Sequence, residues 1–483
     1  MTEKFADFPA TALTWRKTNR GLAIPVPEID EAVAASMVCH PSKAKDMKPI
    51  ALPTERVPHW QMRAVEKLQE LLEKYRGLQV YLDICAQCGA CADKCQFYLG
   101  TGDPNNMPVA RANLLRKVYR YYFKRAEKFF GGEAEPFSEQ VLKEWYTYFY
   151  QCSECRRCSV FCPYGIDTAE ITMAAREIMA AIGVATKYVT EVVAKVYERG
   201  NNLGMPAPAW IDNCQFLEEE LRTETGKDIR LPVDAEGAEV LLVMPSADNF
   251  ANTDTMMAYA KLFYALGISW TTSTYANEGG NFGLFLNYQN MKKVNKRILD
   301  AARTLEVKRV IWGECGHAWR AAIFTNTLNG PMDFLDPPYP VHICQFTADM
   351  IKRGALKIDK SANDDSLITY HDPCNVARAG SLLEEPRAMI RATCNKFIEM
   401  PANTIRERTF CCGAGGGLLT DEIMPIRMAG GKPRAEACRS TGANYLAVPC
   451  AICKAQLPEV MKHWKVEVKV GGVHDLLSRA MIL

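Results

Sequence analysis

The chain has 483 residues, of which 48% are hydrophobic and 24% are charged, and its formal net charge is +2. This length allows two or three domains with substantial cores, and the composition is that of an ordinary globular protein. A near-neutral charge gives no indication of nucleic-acid binding. No run of 18 apolar residues predicts a membrane-spanning helix, and the N-terminal residues lack the layout of a secretory signal.

Nineteen cysteines are the most unusual feature of the composition. Disulfide-rich chains are usually short and secreted, so this count favours metal binding in a reducing cytoplasm. Thirteen of the cysteines, eight and then five, belong to two different signatures. Zinc is the alternative ligand for any C-x2-C pair. Three closely spaced cysteines followed by a fourth and a proline are more specific for [4Fe–4S] clusters.

Residues 1–75 show no clear periodicity, and six prolines between positions 25 and 58 interrupt them. Proline fixes φ and removes a backbone donor, so it breaks helices and strands. We therefore predict an extended N-terminal arm with short helices for residues 1–75.

Residues 76–200 contain two runs with the spacing C-x2-C-x2-C-x3-C. Proteins that hold two cubane [4Fe–4S] clusters use this spacing, and the fourth cysteine of each run binds the other cluster. We predict a helical ferredoxin-type domain here, in which the crossing keeps the clusters close enough for electron transfer. The predicted ligands are Cys85, Cys88, Cys91 and Cys162 for one cluster and Cys152, Cys155, Cys158 and Cys95 for the other.

Two amphipathic helices are predicted around these runs. Arg111–Phe130 has apolar residues at helical spacing with basic residues opposite. This helix could pack between the two cluster lobes, or its basic and aromatic face could dock a membrane partner. Thr168–Val196 is predicted to form one long helix, and residues 201–235 to form a linker.

The remainder alternates short β-branched runs with helical patterns, which predicts parallel sheets with crossover helices. It also contains an internal repeat, 236–360 and 361–483, of which only the second copy keeps the metal-binding cysteines. The predicted strands are Glu239–Met244, Lys308–Trp312, Leu367–Tyr370, Tyr445–Val448 and Val466–Val470. The aligned pairs are Ser246 with Cys374, Cys315 with Cys450, and His342 with His474. The predicted fold class is therefore α+β and multidomain, with a helical dicluster domain followed by two pseudo-repeated α/β domains.

The second signature is Cys374, the adjacent pair Cys411 and Cys412, and then Cys450 and Cys453. Five thiols do not fit a single cubane, which takes four. Cys374 and Cys450 follow predicted strands, and open α/β sheets bind their ligands at that edge. Cys450 and Cys453 are expected to open a helix, whose N-terminus would stabilise their thiolates.

Gly413, Gly415 and Gly416 follow the double cysteine. Glycines allow close approach of the backbone, so their amides could donate to cluster sulfides. A phosphate-binding loop is the alternative interpretation, but the segment lacks the lysine and hydroxyl residue that such a loop requires.

This five-cysteine set resembles the cysteine-rich CCG domain of heterodisulfide reductases. Together with the dicluster module, the chain resembles D-type heterodisulfide reductase subunits, and more closely the DsrK-type subunits of Dsr membrane complexes. Heterodisulfide reductase D-type subunits carry two complete cysteine sets, whereas the first copy here retains only Cys315. The resemblance covers residues from about 80 to the end.

The resemblance implies that the five cysteines hold a noncubane [4Fe–4S] cluster that cleaves disulfides. It implies a peripheral subunit on the cytoplasmic face of the inner membrane, in a complex that serves dissimilatory sulfur metabolism. The implied electron donor is a membrane b-haem subunit of DsrM type that oxidises menaquinol. The implied acceptor is a disulfide or trisulfide on the sulfur carrier DsrC, and other Dsr complex subunits are implied partners.

Disulfide reduction also consumes protons. His371 and Asp372 adjoin Cys374, and His317 lies two residues from Cys315, so these three are candidate donors. Each histidine could instead make structural hydrogen bonds. Cys315 could be a relic, an additional thiol beside the cluster, or a thiol that forms a mixed disulfide with substrate.

Three alternative functions remain open. The chain could be the iron–sulfur subunit of a flavin-linked lactate, glycolate or glycerol-3-phosphate dehydrogenase, or of a true heterodisulfide reductase. It could also be a pure electron-transfer subunit whose five-cysteine site binds no substrate.

Overall fold

The computed structural model describes residues 38–124 and 133–483. Part of the predicted arm and part of the helix predicted at Arg111–Phe130 lie outside the described residues. The chain divides into two compact units. The described residues of the first unit are 38–191 without the gap, Phe285–Asn287 and Phe410–Arg434, and the second comprises Val192–Leu284, Tyr288–Thr409 and Ala435–Leu483.

The first unit is built mainly from helices. Pro108 opens the longest of them, where its missing N–H costs nothing, and Ser138 and Asp167 cap two others with their side-chain oxygens. Their core includes Trp145 and Phe149, which are fully buried. The helices are α1 (Ala44–Met47), α2 (Trp60–Lys74), α3 (Arg76–Asp83), α4 (Gln96–Thr101), α5 (Pro108–Phe123), α6 (Glu139–Phe149), α7 (Arg157–Val160), α8 (Thr168–Ala181) and α9 (Lys187–Arg199), whose last residues belong to the second unit.

The single helix predicted at Thr168–Val196 is wrong in length, because the structure has α8 and α9 there. Gly183 separates them with φ of +82°. A Cβ at this position would overlap the backbone of Glu55. The break therefore depends on a glycine that meets a distant loop, which local periodicity does not reveal.

Two further helices occur where irregular structure is predicted. α2 lies within the residues predicted as an extended arm, and the linker predicted at 201–235 contains α10 (Ala207–Thr225). Trp210, Cys214, Leu217 and Leu221 form the buried face of α10 at helical spacing. Gly226 ends this helix in the left-handed conformation.

The second unit contains two parallel sheets, so the predicted parallel sheets are confirmed. The strands are β1 (Val240–Val243), β2 (Trp270–Thr271), β3 (Arg309–Trp312), β4 (Val341–His342), β5 (Ile368–Tyr370), β6 (Tyr445–Ala447) and β7 (Lys469–Gly471). The first sheet has the order β2-β1-β3-β4 and the second β5-β6-β7. The last strand lies later than the predicted Val466–Val470, and the two-residue strands β2 and β4 were not predicted.

Helices follow the strands of both sheets. They are α11 (Ser246–Phe250), α12 (Thr253–Leu266), α13 (Tyr288–Thr304), α14 (Gly316–Ala322), α15 (Thr325–Asn329), α16 (Ile343–Lys352), α17 (Glu385–Thr393), α18 (Met424–Arg439), α19 (Ala451–His463) and α20 (Val473–Ala480). The first part of α18 belongs to the first unit. One hydrophobic core includes Val240 and Leu242 of the first sheet and Ile368 and Tyr445 of the second. The two sheets therefore share a core within this unit.

We predict that Gly183→Ala destabilises the protein more than Gly237→Ala. Both glycines have positive φ, so alanine costs about 1 kcal/mol or more at either position. Only the Cβ at 183 meets another segment, whereas nothing lies within 4 Å of a Cβ at 237. Thermal and denaturant unfolding of the two variants checks this, and equal losses would contradict the close approach at Gly183.

Candidate metal centres

The structure brings the eight cysteines of the two runs into two groups of four. Each run's fourth cysteine lies with the first three cysteines of the other run. One cavity is lined by Cys85, Cys88, Cys91 and Cys162, with Cys158 also at its edge, and a second cavity is lined by Cys95, Cys152, Cys155 and Cys158.

The two cysteine loops fold in the same way. Gln87 and Gly89 of the first run have φ of 52° and 77°, and Glu154 and Arg156 have φ of 51° and 61° at the corresponding places in the second. Left-handed conformations are costly for residues other than glycine. Their repetition at matching positions indicates that each loop must curve tightly to bring three sulfurs to one side.

Clustering and burial keep these thiols protonated while no cation lies among them. Burial raises the pKa of Cys91 to about 12, and the neighbouring thiols of Cys85, Cys162 and Cys88 contribute to this rise. Burial likewise raises the pKa of Cys158 well above its usual value. Thiolate ligation therefore requires the positive charge of bound metal, which an iron cluster supplies.

Two buried arginines of α5 accompany the two groups. Arg111 interacts with Cys95 and donates to Tyr148 O (2.8 Å), and Arg116 lines the first cavity and donates to Leu82 O (3.0 Å). Arg116 Nη2 is buried and has no hydrogen-bond partner among the described residues. A buried donor beside a ring of thiols fits an anionic iron–sulfur cluster, which could accept from it.

These arginines bear on the two interpretations of the predicted helix Arg111–Phe130. Arg111 and Arg116 are each 1% exposed, so they face the cysteine groups and not a membrane. Within the described part of this helix, packing between the clusters is therefore the better interpretation. Their basic character alone did not distinguish buried from exposed cations.

In the second unit, three thiols lie in contact at the N-termini of two helices. Cys315 is the N-cap of α14 and Cys450 the N-cap of α19, and Cys453 follows in the first turn of α19. Hydrogen bonds from Cys315 and Cys453 hold the pKa of Cys450 well below its usual value, although burial opposes them. The Gly316 amide also donates to Cys450 Sγ (3.5 Å).

Cys374 lies after β5, which pairs in parallel with β6. It is 6% exposed and precedes a π-helical turn at Asn375–Ala379, which packs against α14. Gly316 of α14 makes this packing close, since a Cβ there would lie 3.2 Å from Asn375 Cβ. Cys374 and Cys450 thus follow neighbouring parallel strands at the same edge of the second sheet.

The double cysteine belongs to the first unit. Cys411 and Cys412 are 0% and 2% exposed. Gly413 and Gly416 have φ of 100° and 67°, and a Cβ at Gly415 would lie 3.5 Å from Cys411 Sγ. The loop after the double cysteine therefore needs glycine for its conformation, as expected for a backbone that approaches a bound group closely.

The three predicted proton donors differ in their surroundings. His317 is 3% exposed, and its charge contributes to lowering the pKa of Cys450. His371 is fully buried, and its amide donates to Ala447 O (3.0 Å). Asp372 accepts from both Nη atoms of Arg387 (2.6 and 2.7 Å) and is therefore a structural anchor and not a proton donor.

Sequence reasoning did not identify a buried ionic network beside these thiols. Lys454 Nζ lies 3.2 Å from Asp248 Oδ1 and 3.7 Å from Glu314 Oε2, and donates to Thr255 Oγ1 (2.8 Å). Glu314 also lies 2.7 Å from His474 Nδ1. A lysine next to a predicted ligand cysteine was the available signal, but only the fold supplies its partners.

Glu314 and His474 also form a group with Cys344 whose potential ligand atoms lie within 4.8 Å of one another. A metal ion there would compete with the Lys454 ammonium, which already neutralises Glu314. The predictions that Cys214, Cys344, Cys394 and Cys438 are buried small residues are confirmed, since each is at most 4% exposed.

Comparisons with known proteins identify both cysteine regions. Residues 81–166 match the family model of a 4Fe-4S dicluster domain, and residues 368–458 match that of a cysteine-rich domain. The iron–sulfur subunit 2 of an Hdr-like menaquinol oxidoreductase from Archaeoglobus fulgidus is 43% identical over 468 residues, which covers 88% of this chain and 84% of that protein. The corresponding iron–sulfur protein from Archaeoglobus profundus is also 43% identical, with the same coverage of both chains.

The chain belongs to the family of Hdr-like menaquinol oxidoreductase iron–sulfur subunits. One component of the dihydromethanophenazine:CoB–CoM heterodisulfide reductase from Methanosarcina mazei is 25% identical over 83% of this chain and 94% of its own length. The chain is thus an iron–sulfur oxidoreductase subunit with [4Fe–4S] clusters, as the cysteine runs predict. Among the described residues, no helix has the length and apolar character needed to cross a membrane.

We predict that Cys162→Ala and Cys85→Ala remove the same cubane signal in electron paramagnetic resonance (EPR) spectra, because both thiols line the first cavity. Cys95→Ala should resemble Cys152→Ala instead. Each variant should lose about four irons. Spectra in which Cys162→Ala resembles Cys152→Ala would show that the ligand sets do not cross.

We predict that Lys454→Met lowers the free energy of unfolding by about 3–5 kcal/mol, because it leaves Asp248 and Glu314 buried without their cation. Lys462→Met on the same helix is the control, since Lys462 is exposed and its replacement should change stability by less than about 0.5 kcal/mol. Denaturant unfolding measures both. A loss at Lys454 no larger than at Lys462 would contradict the buried network.

Proposed function

We propose that the chain is a DsrK-type subunit of a membrane-associated respiratory complex, in which quinol-derived electrons reduce a disulfide or trisulfide. The names of its relatives support this proposal from two sides. Those at 43% identity are subunits of menaquinol oxidoreductases, and the Methanosarcina relative belongs to a heterodisulfide reductase. The proposal combines quinol as the electron source with a sulfur–sulfur bond as the acceptor.

The proposed site of reduction is a noncubane [4Fe–4S] cluster. When bound, such a cluster would supply single electrons and iron that can accept a substrate sulfur. Its proposed ligands are Cys374, Cys411, Cys412, Cys450 and Cys453. The observation that carries the proposal is the contact between the buried thiols of Cys450 and Cys453, at the N-terminus of α19 and next to Cys315. Two contacting thiols, one of them with a lowered pKa, are well suited to metal ligation.

The glycines after the double cysteine have a proposed role that follows from their positions. The amides of Gly413, Gly415 and Gly416 would donate to the group held by Cys411 and Cys412, in a loop whose conformation requires glycine. Such hydrogen bonds to the sulfurs of a cluster help to set its reduction potential.

His317 and His371 are the proposed proton donors, since both are buried and close in sequence to candidate cluster thiols. Cys315 is proposed to stay beside the cluster, where its thiol donates to Cys450. Neither assignment requires Asp372, which Arg387 holds.

The degenerate repeat is part of the same proposal. Ser246, aligned with Cys374, lies within hydrogen-bonding distance of Glu278 Oε2 (2.5 Å) and of Asn202 Oδ1 (2.7 Å). Polar side chains that satisfy one another need no metal. The first copy would therefore stabilise the unit while the second holds the reactive group.

The proposed partners follow from the electron source and the acceptor. A membrane b-haem subunit of DsrM type would deliver electrons from quinol, and DsrC would carry the sulfur substrate, together with other subunits of a Dsr complex. The proposed location is the cytoplasmic face of the membrane. The two cubane sites would connect the donor to the five-cysteine site.

We predict that Cys450→Ser abolishes reduction of a trisulfide or disulfide substrate and removes the EPR signal of the third cluster, while both cubane signals remain. Cys394→Ala is the control, because Cys394 is buried but belongs to neither signature. Iron analysis should fall from about twelve to about eight irons in Cys450→Ser only. Normal sulfur reduction by Cys450→Ser would favour the pure electron-transfer function.

A further inference from the structure

One buried arginine connects the second cysteine run to the loop after the double cysteine, within the first unit. Arg176 donates through Nη1 to Gly416 O (2.6 Å) and through Nη2 to Cys152 O (2.8 Å). It also donates to Phe149 O from Nε (3.1 Å) and Nη2 (2.8 Å), and its Nη1 lies 3.0 Å from Glu154 Oε1. The guanidinium thus fixes three backbone carbonyls from two distant parts of the sequence.

Burial makes this arrangement rigid and costly to disturb. The side chains of Arg176 and Glu154 are both 0% exposed. A buried ion pair is favourable only when its remaining hydrogen-bonding groups are satisfied, and here carbonyl oxygens satisfy the guanidinium. The Glu154 amide also donates to Cys152 Sγ (3.4 Å), so the pair lies directly beside a predicted cluster ligand.

The two loops touch through backbone alone at Gly416. A Cβ there would lie 2.9 Å from Cys152 O and 2.7 Å from Ser153 C, so a side chain would push the loops apart. Gly416 also has positive φ. The glycine therefore allows a contact distance that no other residue would permit.

A second cation strengthens the same junction. The Arg157 guanidinium lies 3.8 Å from the ring centroid of Phe410 and 5.0 Å from that of Phe161. Arg157 immediately precedes Cys158, and Phe410 immediately precedes Cys411. Stacking between a guanidinium and an aromatic ring thus also joins the two thiol-bearing loops.

The other cysteine group faces a different environment. Cys88 of the first run is exposed, whereas Cys411 and Cys412 are buried in the glycine loop that contacts the second run. Solvent access at Cys88 suits exchange of electrons with an external partner. The contact at Cys152 suits exchange with the five-cysteine site.

We infer that Arg176 is the positioning residue that holds the second cysteine run against the Cys411–Gly417 loop, and that electron exchange between groups bound to these loops depends on it. This inference rests on the proposed third cluster. It assigns the electron exit to the group on Cys95, Cys152, Cys155 and Cys158, and the entry to the group near Cys88.

The test compares wild-type protein with Arg176→Lys in a rapid freeze-quench EPR experiment after mixing with a limiting amount of dithionite. Lysine keeps the charge beside Glu154 but cannot hold three carbonyls in one plane. We expect the cubane signals to appear at the wild-type rate and the signal of the third cluster to respond about tenfold more slowly, because small displacements of reacting groups have large effects on rate. The iron content should be unchanged.

Two further variants keep this test decisive. Gly416→Ala separates the same loops without altering Arg176, and it decides the outcome should Arg176→Lys lose iron. Arg116→Lys is the matched control, since Arg116 is comparably buried but lies beside the first cavity, and its third-cluster response should match wild type.

The outcomes distinguish this inference from the proposed function. Full iron content with a wild-type response in Arg176→Lys would overturn the positioning role and leave the proposed function intact. Wild-type protein with only about eight irons would overturn the proposed third cluster and this inference with it.

Discussion

The structure depends on how a protein compensates many thiolates that are close together and away from water. Cys91 shows the difficulty, because burial and three neighbouring thiols raise its pKa to about 12. Bound iron supplies most of the positive charge that such a group requires, and buried guanidinium groups supply more. Arg111 and Arg116 on one helix each accompany one cysteine group. Arg176 plays the corresponding part where the second run meets the glycine loop.

The second unit solves the same problem with helix N-termini. Cys315 and Cys450 each cap a helix that follows a parallel strand, where the helix dipole and free amides favour negative charge. Parallel pairing brings the ends of neighbouring strands to one edge, so residues far apart in sequence converge there. The lowered pKa of Cys450 follows from this convergence, since its donors include Cys315, which follows a strand of the other sheet.

Much of the fold was predictable because its signals are local. The cysteine spacing, the four strand predictions that overlap β1, β3, β5 and β6, and the helix containing Arg111 all depend on residues within one element. The failures have a common cause. The break at Gly183 depends on a distant backbone, and α10 was missed because prolines at its start resemble a linker, although proline is favourable at the first turn of a helix. Asp372 looked like a proton donor until Arg387 was found beside it.

The sequence by itself determined the kind of chemistry, because cysteines at short spacings are iron ligands that one loop can bring together. It determined the two cubane runs, the five-cysteine signature and the parallel character of the sheets. Only the tertiary structure decided which charged residues are buried and what they hold. Arg176, Arg157 and Lys454 look like ordinary surface cations in the sequence, since a charge has no local pattern that reveals its partners. Their roles arise from contacts between segments that folding alone brings together.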